Sequence, residues 1–112
     1  MKRTITLVLA VTAAAVLALP VLAAAPKLTG TVGPGFTISM AKKPTKAGKY
    51  TLVVADKSSF HNFHLTGTGV DVMSEVGEQE DEDYQITLVE GSYHFQCDPH
   101  SSTMFGDFDV TA

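Results

Sequence analysis

The sequence predicts an all-β domain, a two-sheet antiparallel sandwich of Greek-key type built from about seven short strands. Three observations predict it. From Lys27 onward apolar residues recur with a period of two, and nothing is sustained at 3.6. Glycine-bearing turns punctuate the chain at short intervals. The one dense acidic run, from Glu75 to Asp83, shows no alternation of apolar residues and reads as a loop between strands.

Residues 1–23 are set apart from that domain. Lys2 and Arg3 give a short positive start, Ile5 to Leu19 is an uncharged run rich in Ala, Val and Leu, and Pro20 and small residues follow. This is the pattern of a secretory signal peptide. Val21-Leu22-Ala23 suits cleavage after Ala23, because a proline directly after the cut disfavours cleavage after Ala25. The apolar run is short of the roughly 20 residues that span a bilayer. No cysteine lies near the cleavage region, which excludes lipid anchoring through an N-terminal cysteine. The expectation is an exported domain over 24–112, periplasmic, extracellular or at the cell surface, monomeric and without a membrane span in its mature form.

Composition narrows the function. A chain of 112 residues holds one small domain. One cysteine excludes an internal disulfide, a zinc finger and an iron–sulfur cluster, all of which need several thiols. A formal charge of −4 without clustered Lys and Arg argues against a nucleic-acid partner. In an exported protein a lone thiol suggests a reactive group, an intermolecular bridge or a metal ligand.

The elements follow in order. A first strand is expected around Leu28 to Val32, then a turn at Gly33-Pro34-Gly35, then a second strand in which Phe36, Ile38 and Met40 alternate with Thr37 and Ser39. Ala47-Gly48-Lys49-Tyr50-Thr51-Leu52 and Glu90-Gly91-Ser92-Tyr93-His94-Phe95 echo each other: in both, a glycine turn delivers an aromatic residue to the buried face at the start of a strand. Phe60 to Leu65, Tyr84 to Val89 and Gly106 to Val110 complete the set. A short helix has room only in the acidic stretch or in Lys42 to Lys46. After Lys2 and Arg3, every lysine lies between Lys27 and Lys57, and every acid but Asp56 lies from Asp71 onward. The acidic run 75–83 reads most simply as a solvated loop, with docking of a basic partner or weak collection of cations as functional alternatives.

The chemistry concentrates in two segments. The stretch from Tyr93 to Val110 carries Cys97, His100 and Met104 on one loop between two strands. Thiolate, imidazole and thioether together suit copper better than zinc, magnesium or calcium. Tyr93, Phe95 and Cys97 share one parity, so Cys97 emerges on the buried side, with His94 and Gln96 facing the other way. A fourth donor comes from Ser59-Phe60-His61-Asn62-Phe63-His64-Leu65. There His61 shares the parity of Phe63 and Leu65, which makes it the ligand and leaves His64 on the opposite face, at the surface or supporting the ligands.

These residues together, His61-Asn62-Phe63-x-Leu65 and Tyr93-x-Phe95-x-Cys97-x-Pro99-His100-x-x-x-Met104-x-Gly106-x-Phe108-x-Val110, resemble the cupredoxins, the small blue copper proteins that include plastocyanin, pseudoazurin and amicyanin. The resemblance runs from about Thr31 to Val110. It implies a β-sandwich of seven to eight strands with one type 1 copper ion at one end. It implies His61, Cys97 and His100 as trigonal ligands, Met104 as the weak axial one, and Asn62 as the residue that ties the ligand loop to its neighbour. Ser101, Ser102 and Thr103 separate His100 from Met104, one residue fewer than in plastocyanin and pseudoazurin and one more than in amicyanin.

The function so implied is one-electron transfer between copper(I) and copper(II), not enzymatic turnover. A redox partner would dock near the edge of His100, with Phe105 and Pro99 in an apolar rim, or on the acidic 75–83 stretch. Two other readings are open to the same residues. Cys97 with His100 as thiol nucleophile and base leaves Met104 and His61 unexplained and lacks a glycine-rich oxyanion loop. A copper buffer or chaperone without redox turnover would use the same four ligands.

Overall fold

The computed structural model describes residues 24–112; the signal peptide read over residues 1–23 lies outside them. Eight strands form, in order β1 (Lys27–Val32), β2 (Ile38–Met40), β3 (Gly48–Asp56), β4 (His64–Gly67), β5 (Val70–Met73), β6 (Asp81–Leu88), β7 (Gly91–Gln96) and β8 (Phe105–Val110), with a single 3-10 turn at Asp98–His100 between the last two. They make two four-stranded sheets, β2-β1-β3-β6 and β5-β4-β7-β8. All pairings within the sheets are antiparallel except β1 with β3, which run parallel from Lys27 opposite Thr51 to Val32 opposite Asp56. The parallel pair arises because β2 and β3 flank β1 on opposite sides, and the chain crosses between them through 41–47. That crossing is pinned to the far sheet by hydrogen bonds from Thr111 N to Thr45 O and from Ala47 N to Thr111 O.

Alternation places the core. Leu52 and Val54 of β3, Ile86 and Leu88 of β6, and Tyr93 and Phe95 of β7 are buried, with Phe108 and Val110 of β8. Between the sheets, Phe63 stacks on Phe95 with ring centroids 5.3 Å apart and planes 12° from parallel. Glycine makes room at both ends of that stack. A Cβ at Gly30 would lie 2.5 Å from Phe63 Cζ, and one at Gly106 would lie 2.3 Å from Phe95 Cζ.

The echoed strand openings prove to be one device used twice, although only Tyr93 reaches the buried face in full and Tyr50 is partly buried at its edge. Gly48 and Gly91 take φ of 152° and 151°, and Tyr50 and Tyr93 each donate a hydroxyl hydrogen bond four residues back, to Lys46 O at 2.6 Å and Val89 O at 2.8 Å. Each tyrosine so ties the turn to the strand it starts.

Three expectations are corrected. Phe36 is not the first residue of β2 but stands exposed (73%) in the turn before it, because the chain does not become extended until Ile38. The strand expected over Phe60 to Leu65 begins only at His64, since a turn at Asp56–His61 occupies its first half, and β5 is an additional strand. Neither Lys42–Lys46 nor the acidic run forms a helix: Glu75, Glu78 and Glu80 precede β6, while Asp81, Glu82 and Asp83 open it. β6 is an edge strand, where a row of like charges discourages pairing with another chain.

Candidate metal centre

The site lies at one end of the sandwich, where three connections meet. The first carries His61. Asp56 ends β3 and accepts a hydrogen bond from Ser58 N at 3.0 Å, Ser58 Oγ accepts from Phe60 N at 3.2 Å, and Ser58 O accepts from His61 N at 3.4 Å. Burial pushes the Asp56 carboxyl above its ordinary range, and the Ser58 N–H opposes that shift without cancelling it. Beyond His61 the loop is held to Ser74: Phe63 N donates to Ser74 Oγ at 2.8 Å, and Ser74 N donates to Phe63 O at 3.0 Å. His61 is thereby fixed at both sides and buried (2% exposed).

The second connection is the loop from Cys97 to Met104, which closes on itself. Cys97 N donates to Met104 O at 3.0 Å, Met104 N donates to His100 O at 2.8 Å, and His100 N donates to Cys97 O at 3.0 Å. Pro99 suits the first turn of the 3-10 segment, where a missing N–H costs nothing. Cys97 is fully buried, Met104 is buried, and His100 is half-buried.

Three donor atoms converge. His61 Nδ1 and His100 Nδ1 are 3.2 Å apart, and Cys97 Sγ lies 3.6 Å from the first and 3.5 Å from the second. No other cluster of three or more metal-ligating His, Cys, Asp or Glu side chains occurs among the described residues. The centre of such a nearly equilateral triangle is about 2 Å from each corner, the length of a transition-metal bond to nitrogen and a little less than that to sulfur. A buried thiol and two imidazoles with their like-named nitrogens aimed at one point fit a single thiophilic ion of low coordination number, and copper in particular. Met104 encloses the same loop with its side chain buried.

The two donor-bearing segments are braced against each other by the residues next to the donors. Asn62 Nδ2 donates to Asp98 Oδ2 at 2.9 Å, and Asp98 N donates to Asn62 Oδ1 at 2.7 Å. Asp98 Oδ1 also accepts from Gln96 Nε2 at 2.9 Å and lies 2.8 Å from His64 Nδ1. Partial burial would raise the Asp98 pKa, but the bonds from Gln96, Asn62 and His64 outweigh it and hold the carboxyl below its ordinary range.

The third connection is the turn between β1 and β2, which sequence reasoning did not link to the site. It sets Phe36 edge-on to both imidazoles, with centroids 5.4 Å from His61 and 5.1 Å from His100. Phe36, Phe60, Val76, Pro34 and Pro99 line a hollow of about 660 Å³ that reaches His61 and His100. Phe105, expected in this rim, instead lies over His94, with ring centroids 5.9 Å apart. The only signal for Phe36 in the sequence was an aromatic residue directly after Gly33-Pro34-Gly35, a turn too short to bury it.

No family model matches the sequence, and no curated protein does. Solved structures match by shape. A variant rusticyanin aligns with a TM-score of 0.53 at 19% identity, covering 76% of this chain and 76% of its own. Reduced rusticyanin gives 0.51 at 20% identity, covering 76% and 78%. A pseudoazurin from Sinorhizobium gives 0.50 at 21% identity, covering 77% and 72%. The chain has the cupredoxin fold.

Proposed function

On this cupredoxin fold, we propose that the chain is an exported one-electron carrier, not an enzyme, holding one type 1 copper ion through His61, Cys97 and His100, with Met104 as the axial ligand. The observation that carries the reading is the buried triangle of His61 Nδ1, His100 Nδ1 and Cys97 Sγ with sides of 3.2 to 3.6 Å. Copper, when bound, supplies the couple between copper(II) and copper(I), and a trigonal donor set serves both states with little rearrangement.

The rest is the work of this chain's own residues. The Asn62–Asp98 brace and the Ser58–Ser74 anchoring hold the donors in place. Burial of Cys97 keeps water and oxidants from the thiol, and the absence of a second cysteine in the sequence leaves it no disulfide partner within the chain. His100 is half-buried and lines the Phe36–Phe60 hollow, which opens a way for an electron between the centre and the surface. We place the redox partner there, with the acidic residues around Val76 favouring a basic rim on it.

The test is copper(II) titration of the chain lacking residues 1–23, followed by voltammetry. One ion per chain and a reversible one-electron wave are expected. Electron exchange with a redox protein faster than loss of copper to a chelating acceptor separates a carrier from a copper buffer or chaperone.

A further inference from the structure

His64 is the second histidine of the His-Asn-Phe-His segment, and the metal site does not use it. Its side chain is only 16% exposed, and both ring nitrogens face carboxylates: Nδ1 lies 2.8 and 3.1 Å from the oxygens of Asp98, and Nε2 lies 2.6 Å from Asp71 Oδ1. An ionised carboxylate only accepts, and a neutral imidazole donates from one nitrogen only. Both contacts are satisfied together by the imidazolium. Burial disfavours that charge, but the bonds to Asp98 and Asp71 outweigh it and raise the His64 pKa.

The contacts form a ribbon across the outer face of one sheet. Asp71 on β5, His64 on β4, Gln96 and His94 on β7 and Asp107 on β8 are joined in series, with Asp98 as the node at the ligand loop. Asp71 and Asp98 are the charged groups on His64 itself, and His94 with Asp107 lies one step away through Gln96. Asp98 directly follows Cys97, and another of its partners, Asn62, directly follows His61.

We infer that His64 is a positioning residue for the centre: it clamps Asp98 from behind, fixing the Asn62–Asp98 brace between the two ligand loops, and supplies the positive charge that offsets Asp98 beside Cys97. This rests on the copper reading above for its redox consequence and on geometry alone for the brace. When one electron enters the centre from a donor protein, positive charge there falls by one and His64 binds its proton more tightly. On oxidation the electron leaves and that affinity is relaxed again. Loss of the imidazolium charge favours the more positive copper(II) state and lowers the potential.

The test has two arms. In the metal-free protein, His64→Ala removes the clamp and should lower hydrogen-exchange protection of the Asp98 amide, which Asn62 Oδ1 accepts, by about tenfold or more, as the loss of a charge-assisted bond implies. His64→Gln keeps a donor toward Asp98 and should restore most of that protection. In the copper-loaded protein, His64→Gln should lower the potential at neutral pH and match the wild type at alkaline pH, where His64 has lost its proton. Asp71→Asn, a change at an exposed partner, should shift the wild-type fall in potential to lower pH. Unchanged Asp98 protection in His64→Ala overturns the brace, and equal potentials at every pH overturn the charge role. If the wild type takes up no copper, the copper reading fails while the exchange arm still decides the clamp.

Discussion

Phe63 and Phe95 stack side by side on the inner face of one sheet, where β4 pairs with β7, and each stands two residues from a donor, Phe63 from His61 and Phe95 from Cys97. The stack therefore sets the separation of the segments that carry His61 and Cys97, and Gly106 against Phe95 leaves no slack in it. Gly106→Ala should destabilise the metal-free protein by about 1–3 kcal/mol through overpacking, measured by denaturant unfolding. The same variant should bind copper more weakly, because its cost falls on the spacing of His61 and Cys97.

Met104 is buried and caps the ligand loop, so its volume and its sulfur can be separated. Met104→Leu keeps the volume and should cost less than about 1.5 kcal/mol. Met104→Ala opens a cavity and should cost about 2–5 kcal/mol. With copper bound, Met104→Leu should leave a coloured site with a shifted potential. An unchanged spectrum and potential would remove Met104 from the ligand set.

Phe36 has most of its surface in solvent and packs edge-on to both imidazoles. Phe36→Ser should change stability by no more than about 0.5 kcal/mol, the range of exposed positions. It should slow electron exchange with a redox protein, measured by stopped-flow mixing. Phe105→Ser, outside the hollow, should leave the exchange rate as it is.

The His64–Asp98 pair makes stability depend on pH with a definite sign. A raised His64 pKa gives a contribution that is full below the ordinary value of 6.5 and lost as pH rises through the raised one. A depressed Asp98 pKa gives a contribution present above the ordinary value of 3.8 and lost as pH falls through the depressed one. The destabilisation caused by His64→Ala should therefore be greatest between those two limits and shrink on either side, in denaturant midpoints of the metal-free protein taken across pH. A difference that is flat with pH would contradict the ion pair.

The sandwich was legible because burial on one face of a strand writes itself into the sequence every second residue, as in Tyr93, Phe95 and Cys97. The candidate donors were legible because thiolate, imidazole and thioether on one loop narrow the chemistry. The sequence pattern and the fold both put His61 with Cys97 and His100, but the pattern does so for an incomplete reason. His61 is buried by the turn that Asp56 and Ser58 build, in a stretch where Asn62 is buried as well, so period-two alternation does not hold there. The ribbon from Asp71 through His64 to Asp98 was not legible, since its partners come from different strands and meet only through register, with His64 opposite Gln96 and Met73. Phe36 escaped because alternation assigned it to β2, whereas the turn before that strand holds it in solvent beside the donors.

The central claim is that His61, Cys97 and His100 hold copper as a type 1 centre, and the most direct measurement is the visible spectrum of the chain lacking residues 1–23 during copper(II) titration. An intense blue charge-transfer band that saturates at one ion per chain and is absent from Cys97→Ser is the predicted result. A colourless complex, or a band that survives loss of the Cys97 sulfur, would contradict the assignment.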